Sequence, residues 1–406
     1  MKRMKVIALA AAALLGLSGC QLVSFNEEKD RNQVIATVGD QQILKSELLD
    51  NLDSYATVYE MMGYTDFLTS SAYADQVKTL KDNILEALVQ KAVESQKAEA
   101  AGLIDHSEAG TQAALEKVKD QWSFSNLLAT AKAAAEKDAS IDPEEQAMQA
   151  LKDKLEQNGT SYEQELEAAR DLMGREALRE ENTKAVQATE EETRALYDEQ
   201  LEAQKSAIQK DASTYETYYS EKGSVSVYKP TGYVFVKHIL VEIPEDIQEA
   251  IKTLESDGDT EAAEAKKQEA LATIEPEAEE VLKKAQAGED FDQLIEQYND
   301  DTGMTVEPAK TDGYLVGPNS NYEENFRTAA LAMSRVGEVS SELVETPYGY
   351  HILKLVDITT EGAVPYENVK QECFDLATER KQNSVYNELL EQWKQELGVK
   401  TYANRI

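Results

Sequence analysis

The chain has 406 residues, of which 41 are Lys or Arg and 77 are Asp or Glu, so its formal net charge is −36 at pH 7. This length suggests two or three domains. The acidic excess argues against a nucleic-acid or anionic-lipid binder, because such proteins use clustered Lys and Arg to displace counterions from phosphates. Two cysteines cannot form a disulfide framework, and only three histidines are available for chemistry.

The N-terminus has the pattern of an export signal. Residues 1–19 contain three basic residues, an apolar run that is too short to span a membrane, and then small residues. Leu17-Ser18-Gly19-Cys20 resembles the bacterial lipobox. The resemblance implies that 1–19 is a signal peptide and that Cys20 carries the lipid that anchors the protein to the extracytoplasmic face of the cell membrane. Residues 20–32 would then be the lipid anchor and linker. An ordinary signal with an incidental cysteine is the alternative.

The sequence that follows is typical of a mostly helical domain. The run 34–43 predicts two short strands joined at Gly39-Asp40. Apolar residues between 84 and 93 share one face of a predicted helix. From 108 to 222 the chain is rich in Ala, Glu, Lys, Gln and Leu, which favours helices. We therefore assign 33–225 to an N-terminal helical domain.

The composition changes at Gly223. Ser224 to Val241 is rich in β-branched and aromatic residues, which predicts strands. Residues 245–280 are acidic, rich in alanine and helical in character, as in an insertion, and a helix pair is expected from Glu280 onward. The chain ends this region with a predicted pair of strands. The order strand, helix, helix, strand, strand indicates a small α/β domain over 226–358.

The C-terminus predicts one long helix from Val369 to Leu397, started near Pro365. Its predicted buried face comprises Phe374, Ala377, Val385, Leu389 and Trp393. A single helix cannot bury that face alone, so we expect 359–406 to pack on the N-terminal domain. The predicted fold class is α+β, with the α/β domain inserted in a mostly α-helical domain.

Two of the three histidines, His238 and His351, lie in strand-like runs in which Ile-Leu follows the ring. Both rings could therefore lie on one sheet. Taken singly, each is better explained as a hydrogen-bonded core residue. A metal site using both rings lacks a third ligand at fixed spacing, so neither a metal nor a cofactor is expected.

The segment around these histidines resembles the parvulin family of peptidyl-prolyl isomerases. The blocks that carry the resemblance occur in family order and are 237–241, 287–292, 297–301, 325–331, 336–340 and 344–352. The lipobox and the Val38-Gly39-Asp40 segment with its helices resemble the N-terminal part of PrsA-like foldases, so 33–225 would be a SurA/PrsA-like domain. The resemblance implies a four-stranded antiparallel sheet with helices, and a C-terminal helix that packs back on the N-terminal domain.

The resemblance implies a catalytic set of four residues. His238 and His351 would lie side by side at the floor of the site, and Thr346 would supply a hydroxyl that orients a histidine. Asp301 stands where some relatives have Cys and many bacterial ones have Asp, which argues against a covalent role. Taken alone, its place in Asn-Asp-Asp-Thr-Gly is better explained as that of a turn residue. Rotation of an X–Pro amide needs no nucleophile, only an apolar pocket and stabilisation of the twisted amide.

The prolyl pocket is assigned by the same resemblance. Phe326 would form its aromatic wall, although a plain core aromatic explains this residue equally well. Tyr322, four residues earlier, would lie on the same helical face. The third residue comes from Tyr314-Leu315-Val316, from which we choose Leu315. Tyr348 would complete the pocket, at a position where phospho-specific relatives have Ser.

The implied function is that of an isomerase and foldase acting on X-Pro segments of unfolded or partly folded exported polypeptides. Glu242, Glu245 and Asp246 occupy the place of the basic loop of phospho-specific relatives, so a phosphorylated substrate is not expected. The alternative is an ATP-independent holdase whose parvulin domain binds peptides with little or no isomerase activity. Relatives dimerise through the helical domain, so a homodimer is compatible with the resemblance.

Overall fold

The computed structural model describes residues 27–221 and 223–406. The predicted signal peptide at 1–19, the lipidation site Cys20 and the linker up to residue 26 lie outside the described residues. Within the described ranges, no helix is long and apolar enough to cross a membrane.

The first part of the chain is helical around one small sheet. Its elements are α1 (Glu27–Arg31), β1 (Val34–Val38), β2 (Gln41–Leu44), α2 (Lys45–Met61), α3 (Ala74–Ala100), α4 (Glu108–Gln121), α5 (Phe124–Ala135), α6 (Pro143–Gln157) and α7 (Tyr162–Thr183).

The remainder contains a two-stranded sheet, a four-stranded sheet and the last strand of the first sheet. Its elements are α8 (Glu190–Lys210), α9 (Thr214–Ser220), β3 (Tyr228–Lys229), β4 (Val234–Glu242), α10 (Glu245–Ser256), α11 (Thr260–Gln286), α12 (Phe291–Tyr298), α13 (Ala309–Asp312), β5 (Tyr314–Val316), α14 (Glu324–Ala332), β6 (Val344–Thr346), β7 (Gly349–Ile358), β8 (Gly362–Ala363), α15 (Tyr366–Glu396) and β9 (Lys400–Thr401).

The chain divides into two compact units. Of the described residues, unit 1 comprises those up to 185 together with 384–406, and unit 2 comprises those between 186 and 383. The first boundary therefore precedes the predicted one at 225, because the segment after residue 185 packs within unit 2. The apolar residues of that packing are Ala188, Leu196, Tyr197, Val225, Val227, Tyr366, Cys373 and Ala377.

The core of unit 1 is built on a three-stranded antiparallel sheet in the order β2-β1-β9. Buried residues of β1, α2 and α3 form one cluster that also includes Tyr386 and Leu390 of α15. The last turns of α15 thus belong to this core. The predicted buried face of the C-terminal helix is displaced: Ala377 is buried, whereas Phe374, Val385, Leu389 and Trp393 are only half-buried. The buried residues of α15 belong to two clusters: Tyr386 and Leu390 to the core of unit 1, and Cys373 and Ala377 to a cluster of unit 2. Cys373 packs as a small apolar residue.

Unit 2 contains a four-stranded antiparallel sheet in the order β5-β4-β7-β6, and with the surrounding helices it confirms the predicted α+β class. Helices α11 and α12 cover one face of the sheet through a cluster that includes Ile239 and Ile352. Helix α14 covers the other face through Phe326, which packs with Val236 and Leu353. The second face also carries the candidate site.

The acidic segment 245–280 is part of this layered structure. It forms α10 and most of α11, which continues without a break to Gln286. The first helix of the predicted pair therefore begins at Thr260 and not at Glu280. Leu271 packs with Ile243 at the end of β4. The segment therefore supplies helical cover for the sheet, and its acidic residues lie on the outer side.

Candidate active site

The register of the central strands brings two histidines together. His238 of β4 is opposite Leu353 of β7, and Leu240 is opposite His351. Because alternate strand residues share a face, both imidazoles lie on the side covered by α14. His238 Nδ1 and His351 Nδ1 are 3.0 Å apart. The side chains are almost inaccessible, with 2% and 7% of their residue surfaces exposed.

The loop that carries Asp301 is fastened to β4. The backbone N–H of Leu240 donates to Asn299 Oδ1 over 2.9 Å, and the backbone N–H of Asp300 donates to the Leu240 carbonyl over 3.0 Å. The Asn299 side chain also donates to the carbonyl of Asp301. These contacts fix the loop two residues beyond His238 on the same strand.

Asp301 receives three hydrogen bonds. His238 Nε2 donates to Oδ2 over 2.9 Å, Tyr314 OH donates to Oδ2 over 2.8 Å, and the Gly303 N–H donates to Oδ1 over 2.8 Å. The His238 hydrogen bond is the main reason that the pKa of Asp301 lies well below its usual range. The carboxylate is therefore anionic at neutral pH and orients the imidazole.

Thr346 supports the second imidazole. Its Oγ1 lies 2.9 Å from His351 Nε2 and accepts a hydrogen bond from the Tyr348 N–H over 3.2 Å. Burial, together with a smaller effect of the neighbouring His238, lowers the pKa of His351 to about 3. His351 is therefore neutral at physiological pH and carries a proton on only one ring nitrogen.

These groups form one hydrogen-bond chain whose proton positions can be assigned. With His238 neutral, its Nε2–H donates to Asp301, His351 Nδ1–H donates to His238 Nδ1, and Thr346 Oγ1–H donates to His351 Nε2. A proton added at His238 Nδ1 would reverse the bonds to His351 and Thr346. The chain can thus change direction without moving a heavy atom.

A cavity of about 490 Å³, lined in part by aromatic residues, lies next to this hydrogen-bond chain. The Phe326 ring meets both imidazoles edge-on, with centroids 5.2 Å from His238 and 5.2 Å from His351. Tyr322 lies 5.5 Å from Phe326. Tyr348 lines the cavity at its rim with 48% of its surface exposed. The cavity thus combines an apolar wall with a polar floor.

Two predicted pocket residues are placed differently. Leu315 does not line the cavity: it is opposite Phe235 in the sheet and packs on the other face, because strand residues alternate. Its neighbour Tyr314 lines the cavity instead, 5.7 Å from the Tyr322 ring. Tyr322 lines the cavity but precedes α14, which begins at Glu324, so it is not on the helical face that the spacing suggested. Tyr314 is opposite Val236, which is on the same face of β4 as His238 because strand residues alternate. This alternation was the signal that favoured Tyr314 over Leu315.

Glycines allow the strands to approach around the site. Gly313 has a φ of +83°, and a Cβ there would lie 2.6 Å from the Val236 carbonyl oxygen. Gly349, opposite Glu242, has a φ of +147°, and a Cβ would lie 2.2 Å from the Val241 carbonyl oxygen. Both positions therefore require glycine if β5 and β7 are to pair with β4 as observed.

The other candidate residues lie apart from the cavity. His106 is in unit 1, exposed and 3.3 Å from Glu99. Cys373 is buried in unit 2, and burial raises the pKa of its thiol, which disfavours the reactive thiolate. Over 27–221 and 223–406, no group of three or more His, Cys, Asp or Glu side chains is arranged to hold a metal ion.

The lowered pKa of His351 predicts an acid-sensitive sheet. Between about pH 6.5 and pH 3 the unfolded chain binds a proton at this residue that the folded chain does not, so stability falls as the pH decreases. From about pH 7 to pH 4.5, this one group should cost about 2 kcal/mol. Urea denaturation of wild type and His351→Asn at both pH values measures it. The variant should lose less stability on acidification; equal losses would contradict the prediction.

Comparison with known proteins agrees with this geometry. Residues 238–357 match the family model described as "Rotamase: PPIC-type PPIASE domain". The match begins at the first histidine and includes the second, together with Asp301 and Thr346. Residues 238–357 of unit 2 are therefore similar to the PPIC-type peptidyl-prolyl isomerase domain.

Relatives extend the similarity along the chain. "Foldase protein PrsA" of Clostridium botulinum strain Langeland is 32% identical over 140 residues, which is 34% of this chain and only 40% of that protein's length. The protein of the same name from strain 657 is 24% identical over 399 residues, covering 97% of this chain and 95% of the relative. The solved structure of PrsA from Bacillus subtilis covers 90% of this chain and 92% of its own at 20% identity, with a TM-score of 0.29. The sequence similarity to the strain 657 protein thus extends over nearly the whole chain.

Proposed function

We propose that the protein is a peptidyl-prolyl cis/trans isomerase and foldase. The observation that carries this proposal is the buried pair His238 and His351, bonded to Asp301 and Thr346 beneath an aromatic cavity. An open cavity of this size accepts a proline ring with its flanking backbone. The similarity to PrsA foldases supports an unfolded or partly folded polypeptide as the substrate.

The reaction demands shape and polarity from the site. The amide resonance that stiffens an X–Pro bond produces a barrier of about 18–20 kcal/mol. Phe326 and Tyr322 hold the ring by apolar contact, which leaves the amide free to rotate. As conjugation is lost the amide nitrogen becomes pyramidal and more basic, and fixed dipoles in a desolvated site stabilise such a charge change more strongly than water does. No bond is made or broken, so the site needs no nucleophile.

The location that we propose is the extracytoplasmic face of the cell membrane. Lipid on Cys20 would hold the protein there, and the polar segment 20–32 would place the folded units above the surface. Exported polypeptides are unfolded when they reach this face, which makes it the place where slow prolyl isomerisation limits folding. Metabolic labelling with a fatty-acid analogue should modify the wild type and leave Cys20→Ala unlabelled.

A protease-coupled assay on an Ala-Pro peptide tests the activity. Wild type should accelerate the cis-to-trans step, and His351→Ala should lose most of the acceleration because Thr346 and His238 then lose their shared partner. His106→Ala is the matched control, since this exposed histidine lies in unit 1. Equal rates for wild type and His351→Ala would reject the site.

An exposed apolar patch in unit 1 favours holdase activity as a second function. The apolar patch consists of Tyr55, Val58, Met61, Met62 and Tyr64, at the end of α2 and just beyond it. Met61 and Met62 are 77% and 69% exposed, and methionine side chains adapt to varied apolar partners. Residues 46–77 include six acidic and no basic side chains, so the patch suits apolar segments that carry basic residues.

Substitution of the methionines tests this second function. Met61→Gln with Met62→Gln should reduce suppression of client aggregation about twofold or more, because about two side chains of apolar contact are lost. Light scattering of a denatured client during dilution measures the effect. Val306→Gln with Val336→Gln is the matched control, because these two valines are comparably exposed but lie in unit 2. Equal suppression by both double variants would argue against the patch.

A further inference from the structure

The mouth of the cavity is acidic. Besides Asp301, which is engaged at the floor, three carboxylates line it: Glu242, Asp300 and Glu323. Glu242 and Asp300 are adjacent, since the Glu242 backbone N–H donates to Asp300 Oδ2 over 2.9 Å. Glu323 stands beside Tyr322, next to the aromatic wall. The cavity lining within the described part of the chain includes no Lys or Arg.

These three carboxylates have no cationic partner among residues 27–221 and 223–406, whereas nearby carboxylates outside the cavity do. Lys237 pairs with Asp292 over 2.7 Å, and Lys267 pairs with Glu345 over 2.8 Å. Among the described residues, the side chain that donates a hydrogen bond to the Glu242 carboxylate is the neutral amide of Gln248. The negative charge at the mouth is therefore not compensated by the protein.

We propose that the mouth carboxylates Glu242, Asp300 and Glu323 select prolines that have a lysine or arginine beside them, and disfavour prolines flanked by acidic residues. The proposal rests on the proposed isomerase function and names its substrate class. A proline ring seated against Phe326 places the neighbouring side chains at the mouth, within reach of these groups. A long cationic side chain can pair there, while a carboxylate or phosphate meets like charge in a partly desolvated cleft.

The expected selectivity is moderate. Asp300 and Glu323 are exposed and Glu242 is half-buried, so water screens each interaction. A Lys-Pro peptide should exceed the matching Glu-Pro peptide in kcat/KM by about three- to tenfold at low salt. The ratio should fall toward one at about 0.5 M salt, where the Debye length is only a few ångströms.

The test compares Ala-Pro, Lys-Pro, Glu-Pro and Pro-Lys peptides on the full-length protein. The variant is Glu242→Gln with Asp300→Asn and Glu323→Gln, in which the preference for the cationic over the acidic peptide should be lost. The control is Glu255→Gln with Asp257→Asn and Glu261→Gln, which changes the net charge equally at exposed positions away from the cavity and should keep the wild-type ratio.

The outcomes separate this inference from the activity on which it rests. Turnover of Ala-Pro without any preference for a flanking cation, or with a preference that survives in the mouth variant, would overturn the inference and leave the isomerase standing. If the control variant also loses the preference, the preference arises from the net charge of the protein, and the proposed role of the mouth carboxylates is wrong. Absence of turnover with every peptide would reject the proposed isomerase itself.

Discussion

Replacing Asp301 with alanine should lower kcat/KM for an Ala-Pro peptide about tenfold to hundredfold. Asp301 is the acceptor that fixes the proton of His238 on Nε2, with the two atoms 2.9 Å apart. Without it, the imidazole can place its proton on Nδ1 and donate to His351, which reverses the hydrogen bonds at the floor of the cavity. Tyr314 would also lose its acceptor and its fixed orientation.

The effect of Asp301 can be separated from a general loss of charge. Asp301→Asn keeps an oxygen acceptor and should lose less activity than Asp301→Ala. Asp292→Ala removes an exposed carboxylate that pairs with Lys237 and should retain activity. Nitrogen-15 shifts of the His238 ring report its tautomer directly. An unchanged rate together with an unchanged tautomer in Asp301→Ala would contradict the assigned hydrogen-bond chain.

Replacing Phe326 with alanine should affect both stability and substrate binding. The side chain is 4% exposed and contacts both imidazoles, so its removal leaves a cavity that should cost about 3–5 kcal/mol in the free energy of unfolding. Because the ring is also the wall against which proline would pack, KM should rise by about tenfold or more. Urea denaturation and peptide kinetics measure the two effects.

Phe326→Leu is the matched variant for this residue. It retains apolar volume, so it should recover most of the stability while binding the substrate less well than the aromatic wall does. If the leucine variant restored both stability and KM fully, Phe326 would be a core residue with no part in substrate binding. If KM remains high in a stable protein, the pocket wall is supported.

The sequence contained enough to locate the sheet and its two histidines. The runs around His238 and His351 are β-branched and apolar, which predicts a strand for each. In the structure the two strands pair as neighbours. Asp301 and Thr346 were assigned by resemblance alone, because nothing in local sequence patterns joins a turn residue to a strand 63 positions earlier in the chain. Only the fold brings that carboxylate to His238.

Other parts depended on packing that local patterns do not encode. Leu315 was predicted to line the cavity, but its neighbour Tyr314 does so. Successive side chains of a strand point to opposite faces of the sheet, so a shift of one residue changes which of them faces the cavity. Unit 2 begins after residue 185, whereas composition predicts a boundary at 225. Helix α8 has the same helical composition as the region before it, but its apolar face packs with residues of α15 in unit 2. Composition distinguishes helix from strand but does not identify the partner of a helix.

The acidic residues of the chain include a group at the mouth of the cavity. Much of the excess charge lies on exposed helical surfaces, where like charges in general favour solubility and oppose self-association. At the mouth of the cavity, by contrast, Glu242, Asp300 and Glu323 face the space that a substrate would occupy. The acidic excess that argues against a nucleic-acid partner would, at this mouth, favour basic polypeptide segments.

The most direct test of the account is magnetisation exchange between the cis and trans forms of an Ala-Pro peptide at equilibrium, measured by NMR with catalytic amounts of protein. This measurement observes the rotation itself and needs no protease. Wild type and His106→Ala should produce exchange cross-peaks on a timescale at which the free peptide gives none, and His351→Ala should not. Exchange of equal rate with wild type and His351→Ala, or no exchange with wild type, would contradict an isomerase site built on His238 and His351.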